Sequence, residues 1–235
     1  MSGRREAEPP SDARAALPPV PFPREVLAGT SLEAARALLG ARIVRDAAPG
    51  DGPAEPRVGR IVEVEAYVGP EDRASHARMG RTRRNAVMFG PPGVAYVYLV
   101  YGMHHCLNVV TEAEPRPAAL LIRAVEPITG LAAMHAARIA ARHPRTRPAP
   151  RVRDARLAAG PGLVAAAFSI DRSHSGLYLC DPASPLRLEA RPASEPPPVV
   201  EATRRVGIAY AGEPWVSVPW RFVVPGSPSL SHARP

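Results

Sequence analysis

Apolar and polar positions divide the chain into short periodic segments separated by breakers. Thr30 to Glu33 reads as a capping box, and the spacing behind it predicts a helix to about Gly40. Residues 41–45 alternate as a short strand, and DAAPGDGPAEP (46–56) is a turn-rich loop. From about Val58 the alternation is regular. Val62, Val64, Ala66 and Val68 fall on one face and Glu63, Glu65 and Tyr67 on the other, until Gly69-Pro70 breaks the pattern. This predicts a strand whose aliphatic face meets a core and whose acidic face lines the opposite surface.

The stretch GVAYVYLVYGMHHCLNVV (93–110) reads as a hairpin turning at Tyr101-Gly102-Met103, with Tyr96 and Tyr98 on one face of its first strand. A strand follows at 118–125, then a helix over 126–143 stopped by Pro144, then an Arg- and Pro-rich loop to 156. Gly-Pro-Gly at 160–162 precedes a short helix, 181–198 is loop-like, and strands near 203–210 and 219–224 close the chain. There is no internal repeat. The expectation is a disordered tail over 1–22, where composition is polar and aperiodic, followed by one α+β domain over 23–232. That domain would have a mostly antiparallel curved sheet, peripheral helices and a protruding β-hairpin.

Composition narrows the function. A chain of 235 residues, 46% of them hydrophobic, is long enough for a sizeable core. Cys106 and Cys180 are the two cysteines and form no CxxC, which argues against a disulfide scaffold or zinc ribbon and for a reduced, cytoplasmic location. No apolar run is long enough to span a membrane, and no secretory h-region follows the first arginines. The net charge is +8, and all 30 basic residues are arginine. A polyanionic partner such as nucleic acid accounts for this, and so, equally, does a genome biased towards Ala, Arg and Pro codons. The lack of lysine excludes a side-chain Schiff base and a Walker A loop.

The candidate chemistry gathers around the acidic strand. A solvated strand face explains Glu63 and Glu65 taken alone. His76, however, follows Tyr67 by nine residues, and a loop can return it beside that ring. A carboxylate beside aromatic and imidazole rings suits a general base in a pocket for a planar ligand. Tyr101 sits at a hairpin tip with little to pack against, as an aromatic that enters a base stack would. His104, His105 and Cys106 alternate faces along a strand and cannot share one ion, and no HxE…PCxxC signature is present, so no metal is expected. Cys106 reads as a structural cysteine. Arg78, Arg81, Arg83 and Arg84, with Arg123 and the helix start at Gly160, can grip phosphates; a solvated basic loop explains them equally.

Six blocks, EVEAYVGPEDRASHAR, RNAVMFGPPGVAYVYLVYGMHHCLNVV, LLIRAVEP, LAAGPG, RVGIAYAG and PWRFVVPGSPSLS, resemble the alkyladenine (3-methyladenine) DNA glycosylase family in order and spacing from about residue 23 to 231. The resemblance implies a base excision repair enzyme that flips alkylated or deaminated purines out of duplex DNA and hydrolyses the N-glycosidic bond. The candidate lesions are 3-methyladenine, 7-methylguanine, hypoxanthine and ethenoadenine. It implies Glu65 as the base that activates water, with Arg123 near the target phosphate and that water. Tyr67 and His76 would form one wall of the base pocket and Tyr98 the other, with Asn108 crowding the exocyclic amine of guanine. Tyr101 would be the wedge in the stack, with Met103 beside it. No cofactor is expected, the partner is double-stranded DNA, and the protein would be a monomeric, nucleoid-associated bacterial enzyme. Without a lysine amine, hydrolysis would leave an abasic site and an intact strand. The chain departs from the family where Leu163 replaces the lysine of GPGKL, and at His104-His105. The rivals are a non-catalytic lesion-binding protein on the same scaffold and a small-molecule hydrolase.

Overall fold

The computed structural model describes residues 19–50, 52–141 and 152–231. Most of the expected tail (1–18), the end of the helix expected over 126–143 (142–143) and most of the expected arginine-rich loop (144–151) lie outside the described residues. The part of the tail that is described is engaged with the domain: Pro21 bridges Glu189, and Phe22 is buried.

Eight strands form one sheet: β1 (Arg42–Arg45), β2 (Arg57–Val68), β3 (Ala95–Val100), β4 (His104–Thr111), β5 (Ala118–Thr129), β6 (Leu186–Glu189), β7 (Glu201–Thr203) and β8 (Arg221–Val223). Their order is β3-β4-β5-β2-β1-β6, with β8 on β2 and β7 on β8, and every pairing is antiparallel. Helices α1 (Arg24–Ala28), α2 (Ser31–Leu38), α3 (Leu131–Ala140) and α4 (Pro161–Ala167) complete an α+β fold. Among the described residues no helix is long and apolar enough to cross a membrane. Thr30 caps α2 as the sequence predicts, its side chain accepting from the Glu33 N–H; the Glu33 carboxylate accepts from the Thr30 hydroxyl at 2.7 Å in place of the backbone N–H of a full capping box.

Strand β2 is the axis of the sheet. One of its edges pairs with β5 along its length, while the other pairs first with β1 and then with β8. The two faces of the sheet differ. Ile61, Val64, Ala66, Val97, Leu107, Val109, Leu120 and Ile122 form one face and join Leu38, Val164 and Phe168 from the helical side in a single buried cluster. The opposite face carries Tyr96, Val110 and Ala119, which pack on Ala77 and Met88 from two short 3-10 turns, His76–Met79 and Ala86–Phe89.

Several expectations are corrected. The acidic face of β2 does not line a surface: Glu63 and Glu65 are fully buried, because loops cover that side of the sheet as helices cover the other. The aliphatic face does not run Val62-Val64-Ala66. The β2–β5 register shifts on both sides of Glu63, so the helix-facing positions pass from Ile61 to Val64. A bulge of this kind adds a residue and changes which face the following side chains take. The helix expected from 126 begins at Leu131, because β5 continues through Thr129 in register with β2. Gly130 makes the switch at φ 76°, and a Cβ there would lie 2.4 Å from the Pro56 carbonyl oxygen. Residues 181–198 contain β6, and the strand near 203–210 is only β7, after which the chain runs irregularly past the face just described.

Candidate active site

The sheet register assembles the site. Glu65 pairs with Leu121, Leu121 with Asn108 and Asn108 with Tyr96, so these four residues form one row across β2, β5, β4 and β3. The next row holds Tyr67 opposite Ala119. Tyr98 lies two positions after Tyr96, opposite Cys106. Residues far apart in sequence therefore share one face because strand side chains alternate.

A small cavity of about 50 Å³ opens on this face, lined by Tyr67, Ala74, His76, Met88, Tyr96, Tyr98, Asn108, Ala119 and Tyr210. The loop between β2 and β3 brings His76 to the cavity that Tyr67 also lines, but its ring, instead of lying beside Tyr67 as expected, packs on Tyr98 and Tyr96. Its ring centroid lies 4.4 Å from that of Tyr98, edge to face, and its Nδ1 lies 3.0 Å from the Tyr96 hydroxyl. Burial, with the charges of Arg84 and Arg78, pushes the imidazole pKa down to about 4, so the ring is neutral near pH 7. Burial raises Tyr96 to about 12 and holds Tyr67 and Tyr98 well above the ordinary phenol range, so all three are protonated. The Asn108 amide donates to the Tyr96 carbonyl at 3.0 Å, which fixes its orientation in the buried row.

At the β2 end of the row, Glu65 accepts from the Tyr67 hydroxyl (2.9 Å), Arg123 Nη1 (3.2 Å) and the Val206 N–H (2.7 Å). Arg123 spans both acids: Nε donates to Glu63 at 2.8 Å and Nη2 reaches Ser231 Oγ at 3.3 Å. Its charge is favoured by Glu65 and Glu63 more than burial opposes it, which raises its pKa further. Arg123 is buried, and all three of its guanidinium nitrogens are engaged within the chain.

A second buried pair braces the pocket loop. Asp72 and Arg205 are both fully buried and meet at 2.5 and 2.9 Å, while Asp72 also accepts from the Ala74 N–H. The Arg205 guanidinium lies 4.9 Å from the Tyr67 ring centroid and 5.1 Å from that of Trp220. Asn85 donates to the carbonyls of His76 and Gly80, both at 2.9 Å, and so fixes the turn that carries His76.

The hairpin tip stands clear of the body. Tyr101 is 88% exposed and Met103 64%. Tyr101 and Gly102 both take left-handed backbone angles, and the Met103 N–H closes the turn on the Val100 carbonyl. On the 78–84 loop, Arg84 lies over the Tyr98 ring and donates to the Leu99 carbonyl, while Arg81 and Arg83 are exposed.

The site as built thus contains Glu65, Arg123, Tyr67, His76, Tyr98 and Asn108 together, with Tyr101 and Met103 outside it at the tip. Sequence reasoning named Tyr96 with Tyr98 as hairpin rings but missed Tyr210, Ser231 and the Asp72–Arg205 pair as parts of the site. Tyr210 lines the cavity, and its hydroxyl donates to the Ala74 carbonyl at 3.2 Å. Its signal was the aromatic in RVGIAYAG, and that of Ser231 was the Ser-rich end of PGSPSLS.

Residues 25–228 match the sequence model of a family described as methylpurine-DNA glycosylase. A protein of Methanocella arvoryzae, provisionally named a 3-methyladenine DNA glycosylase, is 44% identical over 91% of this chain and 97% of its own length. A Myxococcus xanthus protein with the same provisional name is 42% identical over 91% of this chain and 95% of its own. The DNA-3-methyladenine glycosylase of Mus musculus is 45% identical over 84% of this chain and 57% of the mouse protein.

Proposed function

Because this chain belongs to the methylpurine-DNA glycosylase family, we propose that it is a monofunctional DNA glycosylase of base excision repair, hydrolysing the N-glycosidic bond of damaged purines in duplex DNA. The observation that carries this reading is a buried carboxylate, Glu65, hydrogen-bonded to Tyr67, which itself lines an aromatic cavity. Chemistry on a base requires taking it out of the stack, at a cost of a few kcal/mol that is least for damaged or mispaired bases. Stacking on Tyr67, His76 and Tyr98 would return about 1–3 kcal/mol per base.

Glu65 is the general base. Its carboxylate has roughly four acceptor positions, and three donors fill three of them, which leaves one for the attacking water. Its charge also stabilises the cation that develops on the sugar. Arg123 orients Glu65. Tyr101, with Met103, fills the gap left by the extruded nucleotide, and the exposed arginines of the 78–84 loop hold phosphates. Two stacking contacts at about 3.5 Å each need about 7 Å between ring planes. With His76 and Tyr98 centroids 4.4 Å apart, these rings must part for a purine to enter. Asn108, held in one orientation, crowds the exocyclic amine of guanine. The chain contains no lysine, so no side-chain amine is available for strand cleavage.

The test is single-turnover base release from duplexes carrying one hypoxanthine or ethenoadenine, and from methylated DNA, with alkali used to reveal abasic sites. Release with strand breaks only after alkali supports a hydrolysis-only enzyme. Lesion-selective binding without release from any substrate would replace it with a non-catalytic lesion-binding protein.

A further inference from the structure

Glu63 takes no part in the proposed reaction, yet it is held more tightly than Glu65. One of its oxygens accepts from Arg123 Nε and Arg221 Nε, both at 2.8 Å, and from Ser231 Oγ at 2.6 Å; the other accepts from the Ser231 N–H at 2.7 Å. Four donors hold Glu63, as many as the roughly four acceptor sites of a carboxylate, against three on Glu65, so Glu63 has less room for a water than Glu65. Burial alone would raise its proton affinity, but Arg221, Arg123 and Ser231 together outweigh that and hold it below the ordinary carboxylate range. It is a fixed negative charge.

Its position explains why one is needed. Arg123 has a single guanidinium between two acids, with Nε on Glu63 and Nη1 on Glu65. We propose that Glu63, clamped by Ser231 and Arg221, is the positioning residue of this site: it fixes the plane of Arg123 and shares its charge, so that Glu65 keeps both its orientation and its basicity. The proposal rests on the reading of Glu65 as the base. Among the described residues, the titratable and charged groups around Glu65 are Glu63 and Tyr67 on β2, Arg123 on β5, Tyr98 on β3, Cys106 on β4 and Arg221 on β8, which is paired with Glu65 in register, with Arg205, neutralised by Asp72, beside the Val206 N–H that Glu65 accepts. Two acids face two guanidinium groups. Removing Glu63 would leave both cations to Glu65 alone, stabilising its anion and making it a poorer base.

Single-turnover base release is measured against pH for the full chain and for Glu63→Gln, Ser231→Ala, Ser231→Thr and Glu65→Gln, with lesion affinity and melting measured alongside. Glu63→Gln is expected to lower the plateau rate on the order of tenfold to a hundredfold and to move the acid limb to lower pH, with lesion affinity unchanged. Ser231→Ala is expected to slow release without changing affinity, and Ser231→Thr, which keeps the hydroxyl, to restore it. A folded Glu63→Gln with the wild-type rate, or a slower one with an unmoved pH profile, overturns the proposal. If Glu63→Gln does not fold, Ser231→Ala decides, and a wild-type rate there overturns it. Should Glu65→Gln keep the wild-type rate, the base assignment falls and this proposal with it; an inactive Glu65→Gln beside a wild-type Glu63→Gln sinks the positioning role alone.

Discussion

His76 Nδ1 and the Tyr96 hydroxyl lie 3.0 Å apart, joining the short turn after β2 to the first strand of the hairpin. The imidazole is neutral there, its pKa depressed from 6.5 to about 4. The unfolded chain therefore takes up the proton first as pH falls, so this residue's contribution to stability is complete above about 6.5 and is lost progressively towards 4. His76 keeps part of its surface exposed, so the loss is modest. An NMR titration of the His76 ring should show a midpoint below 5, against about 6.5 for a free imidazole. A midpoint near 6.5 would show that the ring is not held as described.

Replacing Glu65 by Gln keeps the shape of the side chain and removes the charge. Base release should slow by about 10²–10⁴, while lesion affinity stays near wild type. The loss of a buried, charge-assisted hydrogen bond should cost about 1–3 kcal/mol, readable as a lower denaturant midpoint.

Tyr101→Ala removes a side chain that is almost wholly exposed, and so should change stability by no more than about 0.5 kcal/mol. Its effect should appear on duplex DNA, where the gap left by the base must be filled, and largely vanish on single-stranded substrate. Equal defects on both substrates would contradict a wedge.

Duplex binding should weaken steeply with salt. Arg81→Ala and Arg83→Ala should each reduce the slope of log affinity against log salt by about 1. Arg84→Ala should act differently, because Arg84 also lies over Tyr98. It should additionally slow base release.

Asp72→Asn breaks a fully buried ion pair and should cost about 3–5 kcal/mol. Thermal melting measures this directly. A variant melting at the wild-type temperature would mean that the pair is not what braces the loop.

The sequence made the elements legible wherever periodicity was unbroken: the hairpin at 93–110, the capped helix after Thr30 and the long strand before Gly69. It misled where tertiary pairing overrode local pattern. The bulge at Glu63 is invisible in VEVEAYV, because alternation in sequence assumes alternation in space. Burial of both acids was equally hidden, since the chain that engages them comes from far along the sequence, Val206 at Glu65 and Ser231 at Glu63. The pocket rings could be named from type and spacing, Tyr67, His76 and Tyr98 among them. The supports could not: Ser231 and Arg205 reach Glu63 and Asp72 across separations of 168 and 133 residues, and no local signal carries such contacts.

The guanidinium of Arg205 lies over the Tyr67 ring and does not line the cavity. An aromatic face attracts cations through its quadrupole, and a cation already resident on a ring draws on that same electron density. Tyr67 therefore offers a positively charged purine less than an unaccompanied tyrosine would. If Tyr67 forms the wall proposed for the base pocket, that wall favours flatness and fit over charge, and a neutral lesion such as hypoxanthine should compete at that ring on closer terms with a cationic methylpurine than tyrosine chemistry alone suggests.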